Sequence, residues 1–332
     1  MSYLFPSSTI TFDAALRDLA QGSPRARAFA AHALGSITEP TERRRAVEAL
    51  IRALEDDRPE VRAEACSSLG ELREPAAIPT LIKRLDDGSP PVRQNAAIAL
   101  GTIGHPDGFE PLALALKEGP ADLRFQAATS LAEIDASRAF APLSEALADK
   151  DPQVIGAAAL SLGAIGDARA IPLLIPLLDH GDGVARFDAA YALAELHDPS
   201  GRGFLVGSLT DPDRAWDAVT ALATLGTPED VAALGHALGD RRVPPEATIL
   251  AAGRILHLGT GTHEAAQRVL LAGLAARKAH VRGLAVEQLG EVGGPWARDP
   301  LTKLAKSGKG GELLEVIATA LGAIDGRSAS EG

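Results

Sequence analysis

The apolar positions of this chain recur at two nested periods. Within short windows they fall three and four residues apart, as in Val92-Arg-Gln-Asn-Ala-Ala-Ile-Ala-Leu-Gly-Thr-Ile103. That spacing lays them along one face of an α-helix. Over longer distances the phrase itself returns, at Val61 to Leu72, Leu123 to Ile134, Val154 to Ile165 and Ala185 to Leu196. A leucine-type residue late in each copy marks the period at Leu34, Leu69, Leu100, Leu131, Leu162, Leu193, Leu222, Ile255, Leu289 and Leu321, and the interval stays near 31 residues from Leu69 to Leu193. The chain reads as ten copies, the outer ones irregular in the manner of capping repeats.

Each copy predicts two helices. The first (helix A) carries apolar residues behind an early proline, as in Ile78-Pro-Thr-Leu-Ile-Lys-Arg-Leu85, Phe109-Glu-Pro-Leu-Ala-Leu-Ala-Leu116 and Phe140-Ala-Pro-Leu-Ser-Glu-Ala-Leu147. Proline is tolerated in a first turn because its missing N–H would have no intrahelical partner there. A turn rich in Asp, Gly and Pro, such as Asp86-Asp-Gly-Ser-Pro-Pro91 or Asp149-Lys-Asp-Pro152, then leads into helix B, the phrase above. The pattern predicts an all-α chain, and the steady interval predicts one continuous solenoid over 1–332, with repeats across about 10–325 and a polar tail at 326–332. The stretch 239–261 departs most from it: Gly239-Asp-Arg-Arg-Val-Pro-Pro245 lengthens a turn and Gly253 falls inside a B helix, so faster amide exchange is expected there than in 92–196.

Read together, Ala170-Ile-Pro-Leu-Leu-Ile-Pro-Leu-Leu178 and Ala185-Arg-Phe-Asp-Ala-Ala-Tyr-Ala-Leu193 resemble a HEAT repeat, of the short bacterial type similar to the repeats of phycobilin lyases. The resemblance runs through about residues 10–325. It implies a right-handed α-solenoid of about ten HEAT-like helical pairs, with the B helices lining a concave surface. It does not imply one function, since a fold hosts many activities.

A helix turns about 100° per residue, so each B helix can be placed on a wheel with its leading Val or Leu at position 0. Positions 0, 4, 8 and 11, which are Val92, Ala96, Leu100 and Ile103 in one copy, form the predicted buried face. Position 1 holds Arg27, Arg62, Arg93, Arg124, Arg186 and Arg282, interrupted by Ile155, Ala215 and Thr248. With Asp57, Asp87, Asp151 and Asp182 in nearby turns, Arg62, Arg93, Arg124 and Arg186 are expected to form a structural ladder. Position 9 is Gly or Ala in most copies, as at Gly35, Gly70, Gly101 and Gly290, which predicts a shallow, open concave floor.

Positions 2 and 6 lie opposite the predicted core, and four of the chain's twelve aromatic residues fall on them: Phe125, Phe187, Tyr191 and Trp216. Thr129 and Thr220 share the strip, and Asn95, Gln126, Asp188 and Asp217 at position 3 supply a polar rim. Two readings follow. The rings form an exposed apolar surface that anchors a partner, or they lean sideways and fill gaps between adjacent B helices.

Composition narrows the partner. Hydrophobic residues make up 46% of the 332 positions and aromatics 4%, so the core is built from Ala and Leu packed closely. The net charge of −11 is shared by both halves, whereas a nucleic-acid binder needs a basic stripe to meet phosphates. One local basic group, Arg277, Lys278, Arg282, Arg298, Lys303, Lys306 and Lys309, stands beside Glu287, Glu291 and Asp299 and reads as a solvated solenoid end. The single cysteine, Cys66, excludes an intramolecular disulfide and any multi-cysteine metal site. The start Met1-Ser-Tyr-Leu-Phe-Pro-Ser-Ser lacks the features of a secretory signal and no apolar run reaches membrane length, so a cytoplasmic location is expected.

No motif announces catalysis. The eight histidines do not recur at one repeat position, and His263-Glu264 is the single His-Glu dipeptide, whereas deoxyhypusine hydroxylase, a HEAT-like enzyme, presents repeated pairs for a di-iron centre. Neither a phosphate loop nor a nucleophile elbow occurs. No cofactor or metal is expected. The function these features support is a non-catalytic scaffold that binds a partner helix or peptide on its concave face. Two alternatives stand beside it: a phycobilin-lyase-like role in handling a chromophore or other small molecule, carried by repeat similarity, and a HEAT-like glycosylase of alkylated DNA, for which Trp216, Asp217 and Arg214 offer a superficial match.

Overall fold

The computed structural model describes residues 10–259, 263–307 and 310–330, and within them all regular structure is helical. The chain divides into two compact units, Met1–Leu173 and Leu174–Gly332. Each is an α-solenoid of stacked helical pairs. In the first unit the helices are α1 (Phe12–Gln21), α2 (Pro24–Gly35), α3 (Pro40–Ala53), α4 (Pro59–Glu71), α5 (Ile78–Arg84), α6 (Pro90–Ile103), α7 (Phe109–Glu118), α8 (Ala121–Ile134), α9 (Ala136–Ala146) and α10 (Pro152–Ile165). The short α11 (Ile171–Leu174) stands at the division. The second unit holds α12 (Gly183–Glu195), α13 (Arg202–Ser208), α14 (Ala215–Leu225), α15 (Pro228–Ala237), α16 (Pro245–Leu258), α17 (His263–Gly273), α18 (Ala279–Val292), α19 (Arg298–Ala305) and α20 (Leu314–Ser330).

Local chemistry sets the helix ends. Proline opens α4, α6, α10 and α16, where its fixed φ suits a first turn. Asp151 and Asp182 cap α10 and α12 by accepting backbone N–H bonds, from Gln153 at 2.9 Å and from Val184 at 2.7 Å. Pro176 corrects one expected helix. The segment Ala170 to Leu178 is broken into α11 and a 3₁₀ stretch over Ile175–Asp179, because proline supplies no N–H to continue an α-helix.

The marker leucines from Leu34 to Leu289 are buried, as the pattern predicts, and Leu321 in α20 is half-buried. The buried face of the B helices is wider than a wheel drawn for one helix suggests. In α6, Ala97, Ala99 and Gly101 are buried together with Val92, Ala96 and Leu100, while Ile103 is partly exposed. The wider face comes from contact with the B helices on both sides, since α2, α4, α6 and α8 pack on one another in sequence, as do α12, α14, α16, α18 and α20. Position 9 is therefore no open floor. A Cβ at Gly70 would lie 3.0 Å from Ala99 Cα, and one at Gly101 would lie 2.8 Å from Ser130 Cβ. Small residues at position 9 let neighbouring helices approach closely, and the polar atoms trapped there are paired, as where Ser68 Oγ donates to the Ala31 carbonyl at 2.9 Å.

The irregular stretch 239–261 keeps helix α16, in which Gly253 lies against the Gln288 side chain; residues 260 and 261 lie outside the described residues. In the basic group near the C-terminal end, Arg282 donates to the Ala276 and Arg277 carbonyls at 3.0 Å and Arg298 pairs with Asp325 at 3.1 Å. Lys309 lies outside the described residues. No described helix is long and apolar enough to cross a membrane.

Candidate functional site

The arginines at position 1 reveal how repeats are joined and where the joining stops. In the first unit each reaches back to a carbonyl of its own turn and forward to a carboxylate of the next repeat. Arg62 donates to the Asp56 carbonyl at 2.9 Å and grips Asp87 through Nε and Nη2 at 2.8 and 2.7 Å. Arg93 donates to the Asp87 carbonyl at 2.9 Å and to Asp122 at 2.8 Å. Arg124 donates to the Gly119 carbonyl at 2.9 Å and grips Asp149 at 2.7 and 2.8 Å. Burial alone would raise the Asp87 and Asp149 carboxyls. The guanidinium hydrogen bonds and charge, with a backbone N–H on each, outweigh it and hold both below the usual carboxylate range. Two of the expected aspartates play another part, since Asp151 and Asp182 cap helices.

Arg186 departs from the expected ladder, because no carboxylate pairs with it among the described residues. Its guanidinium lies over the Phe204 ring, 5.4 Å from the centroid. Just ahead of the next B helix, at wheel position 0, stands Arg214 where other copies place Val61, Val92, Leu123 or Val154. Arg214 in turn lies 5.4 Å from the Phe187 centroid, and Phe187 stands 6.5 Å from both Tyr191 and Phe204. Two guanidiniums and three rings thus share one corner of the second unit, built by α12, α13 and α14. Phe204 gives no signal in the sequence, and Arg214 enters it only beside Trp216 and Asp217; the legible signal is a charged residue at wheel position 0, just ahead of α14.

The predicted strip divides between the units. In the first, Phe125 is exposed at 40%. Its expected polar neighbours are used inside the fold: Asn95 Nδ2 donates to the Ala63 carbonyl at 3.0 Å, Gln126 Nε2 donates to Thr129 Oγ1 at 2.9 Å, and Thr129 donates to the Gln126 carbonyl at 2.8 Å. In the second, Trp216 is exposed at 43%, whereas Phe187, at the same wheel position, is only 6% exposed. The expectation of four exposed rings is corrected at Phe187, which Phe204 and Arg214 cover, and Tyr191 is half-buried. Thr220 donates to the Trp216 carbonyl at 3.1 Å. Asp217 is exposed, and Asp188 is half-buried. Burial pushes the Asp188 carboxyl up to about 6, with Arg214 opposing the rise and Asp217 and Asp182 adding to it. The Tyr191 hydroxyl is raised by burial and by Glu195 and Asp217.

Elsewhere, a groove of about 560 Å³ lies between α7 and α9, lined by Phe109, Leu114, Pro142 and Glu145 among others. No group of three or more His, Cys, Asp or Glu among the described residues is arranged to hold a metal ion.

The signature of HEAT repeats matches residues 47–124 and 109–194. No curated protein matches the chain. Among solved structures, yeast importin-β (Kap95p) is similar with a TM-score of 0.59 at 13% identity, over 94% of this chain and 52% of that one, so the chain spans about half its length. The complex of CpcE and CpcF of phycocyanin lyase from Nostoc sp. PCC7120 is 25% identical, covering 81% of this chain and 97% of that one, with a TM-score of 0.41. Human deoxyhypusine hydroxylase is 23% identical, covering 74% and 96%, with a TM-score of 0.35.

Proposed function

The chain is a HEAT-repeat protein, and from that premise we propose that it is a non-catalytic scaffold that binds a partner helix or extended peptide across the B helices of its second unit. Stacked helical pairs offer extended surfaces, and interfaces favour rigid aromatic anchors. The observation that carries the reading is Trp216, a large ring 43% exposed on a helix whose core-facing positions, Ala218, Val219, Ala221 and Leu222, are fully covered. Half-buried Tyr191 and the carboxylates Asp188 and Asp217 lie on the same pair of helices and supply its polar border.

Trp216→Ala tests this. The variant should melt within a few degrees of the wild type, because an exposed ring contributes little to folding. A partner captured from the source cell by the wild type should bind the variant about 2 kcal/mol more weakly in calorimetry, the scale of a central hot spot. Equal affinity, or a folding loss of about 3 to 5 kcal/mol of the kind a core ring causes, would refute the assignment.

A further inference from the structure

The registers of the two units differ at one rung. The aspartate two residues after the leucine that closes helix A recurs as Leu54-Glu-Asp56, Leu85-Asp-Asp87, Leu147-Ala-Asp149 and Leu209-Thr-Asp211. In the first unit the preceding position-1 arginine takes it: Arg27 Nη2 donates to Asp56 at 2.8 Å, and Arg62 and Arg124 bind Asp87 and Asp149 with two bonds each. By the same register Arg186 would take Asp211. Instead the nearest cationic atom to Asp211 is Nε of Arg214, at 3.9 Å, and Arg186 turns onto Phe204.

The two guanidiniums then converge at the start of α12. A Cβ placed on Gly183 would lie 3.5 Å from both Nη1 and Nη2 of Arg214 and 3.8 Å from Nη2 of Arg186. Glycine at this position leaves the space between them open. The nearby carboxylates do not fill it: that of Asp211 comes no nearer than 3.9 Å to the Arg214 guanidinium and makes no hydrogen bond to it. Asp182 is turned to the N–H groups of Val184 and Ala185, at 2.7 and 3.3 Å, and Asp188 is within electrostatic reach of Arg214 without a hydrogen bond to it. Gly183 and both arginines are partly exposed, so the space is reachable from solvent. Planar guanidiniums present paired donors that match a carboxylate.

We propose that Arg186 and Arg214 form a binding site, over Gly183, for a carboxylate presented by a binding partner. It is the group that closes the equivalent rungs of the first unit from within the chain. This inference extends the scaffold reading by naming a chemical feature of the partner, an Asp or Glu side chain or a chain terminus. Its test uses a small carboxylate, so it stands or falls apart from Trp216.

Full-length ¹⁵N-labelled protein is titrated with sodium acetate at constant ionic strength, and in a second arm with inorganic phosphate, while the arginine Nε–Hε resonances are followed. Acetate should shift the Arg186 and Arg214 signals saturably and leave those of Arg62 and Arg124, already engaged by Asp87 and Asp149, unmoved. Arg186→Gln should weaken the response of Arg214 by about tenfold, the scale of one charge-assisted hydrogen bond. It should also keep the wild-type melting temperature, since it breaks no ion pair. No saturable shift, equal movement of the paired arginines, or saturation by phosphate alone would overturn the proposal. If Arg186→Gln does not fold, Arg214→Gln is read in the same way through Arg186; failure of both to fold would make the pair structural and also overturn it.

Discussion

Replacing Arg124 by alanine removes a rung whose two ends can be followed separately. The change deletes two bonds to Asp149 and one to the Gly119 carbonyl. It leaves behind a carboxylate whose side chain is only 12% exposed. Breaking a buried pair on one side costs about 3 to 5 kcal/mol, most of it from the charge left unpaired. Asp149 keeps the Asp151 N–H at 2.8 Å, which puts the expected loss near the lower end, about 3 kcal/mol. An unfolding entropy of about 2.1 cal/mol/K per residue amounts to roughly 0.36 kcal/mol/K over the 173 residues of the first unit, so its melting temperature should fall by about 8 °C if it melts as one body. Melting of the whole chain as one body would halve that figure. Calorimetry and urea unfolding provide the measurement, and a cycle with Asp149→Ala isolates the pair, with an expected coupling of about 2 kcal/mol. The carboxyl gives a second readout. Without the guanidinium the burial that opposes ionisation is countered only by the Asp151 N–H and the Lys150 charge, so the Asp149 carboxyl should rise. A loss under about 1 kcal/mol, additivity in the cycle, or an unmoved Asp149 carboxyl would refute the ladder as a stabilising device.

Gly101→Ala should destabilise by about 1 to 3 kcal/mol through overpacking, since its Cβ would meet Ser130 Cβ at 2.8 Å, whereas Gly322→Ala, with nothing within 4 Å, should stabilise α20 by about 0.5 to 1 kcal/mol; chemical denaturation of both variants checks the contrast. Asp188 is raised to about 6 from an ordinary value of 3.8, so the folded state holds its proton more tightly than the unfolded state and stability is lost as pH rises from about 4 through 6. Carboxyl NMR should show that titration, and Asp188→Asn should remove this component; a midpoint near 4 would contradict it. Burial pushes the Cys66 thiol up to about 12, so iodoacetamide at pH 8 should leave the native protein unlabelled and modify it once urea is added, as mass spectrometry would show.

Helices and their pairing were legible in the chain because their signals are local. The three-and-four spacing of Val92, Ala96 and Leu100 identifies a covered face before any neighbour is known, and the marker leucines from Leu34 to Leu289 are buried. The position-1 arginines were legible as a row for the same reason, since one helical register repeats them. Which carboxylate each would hold was not, because the partners come from turns whose approach depends on how repeats stack. Asp122 and Asp149 joined the ladder while Asp151 and Asp182 turned to helix ends. Position 9 shows the same division: on a single wheel it points away from the core, and only the adjacent B helix makes Gly70 and Gly101 interior. Phe187 and Trp216 share one wheel position and differ from 6% to 43% exposure. Their own helices give no reason for it. Phe204 from α13 and Arg214 from α14 cover the first ring, and burial belongs to the meeting of elements rather than to the periodicity of one.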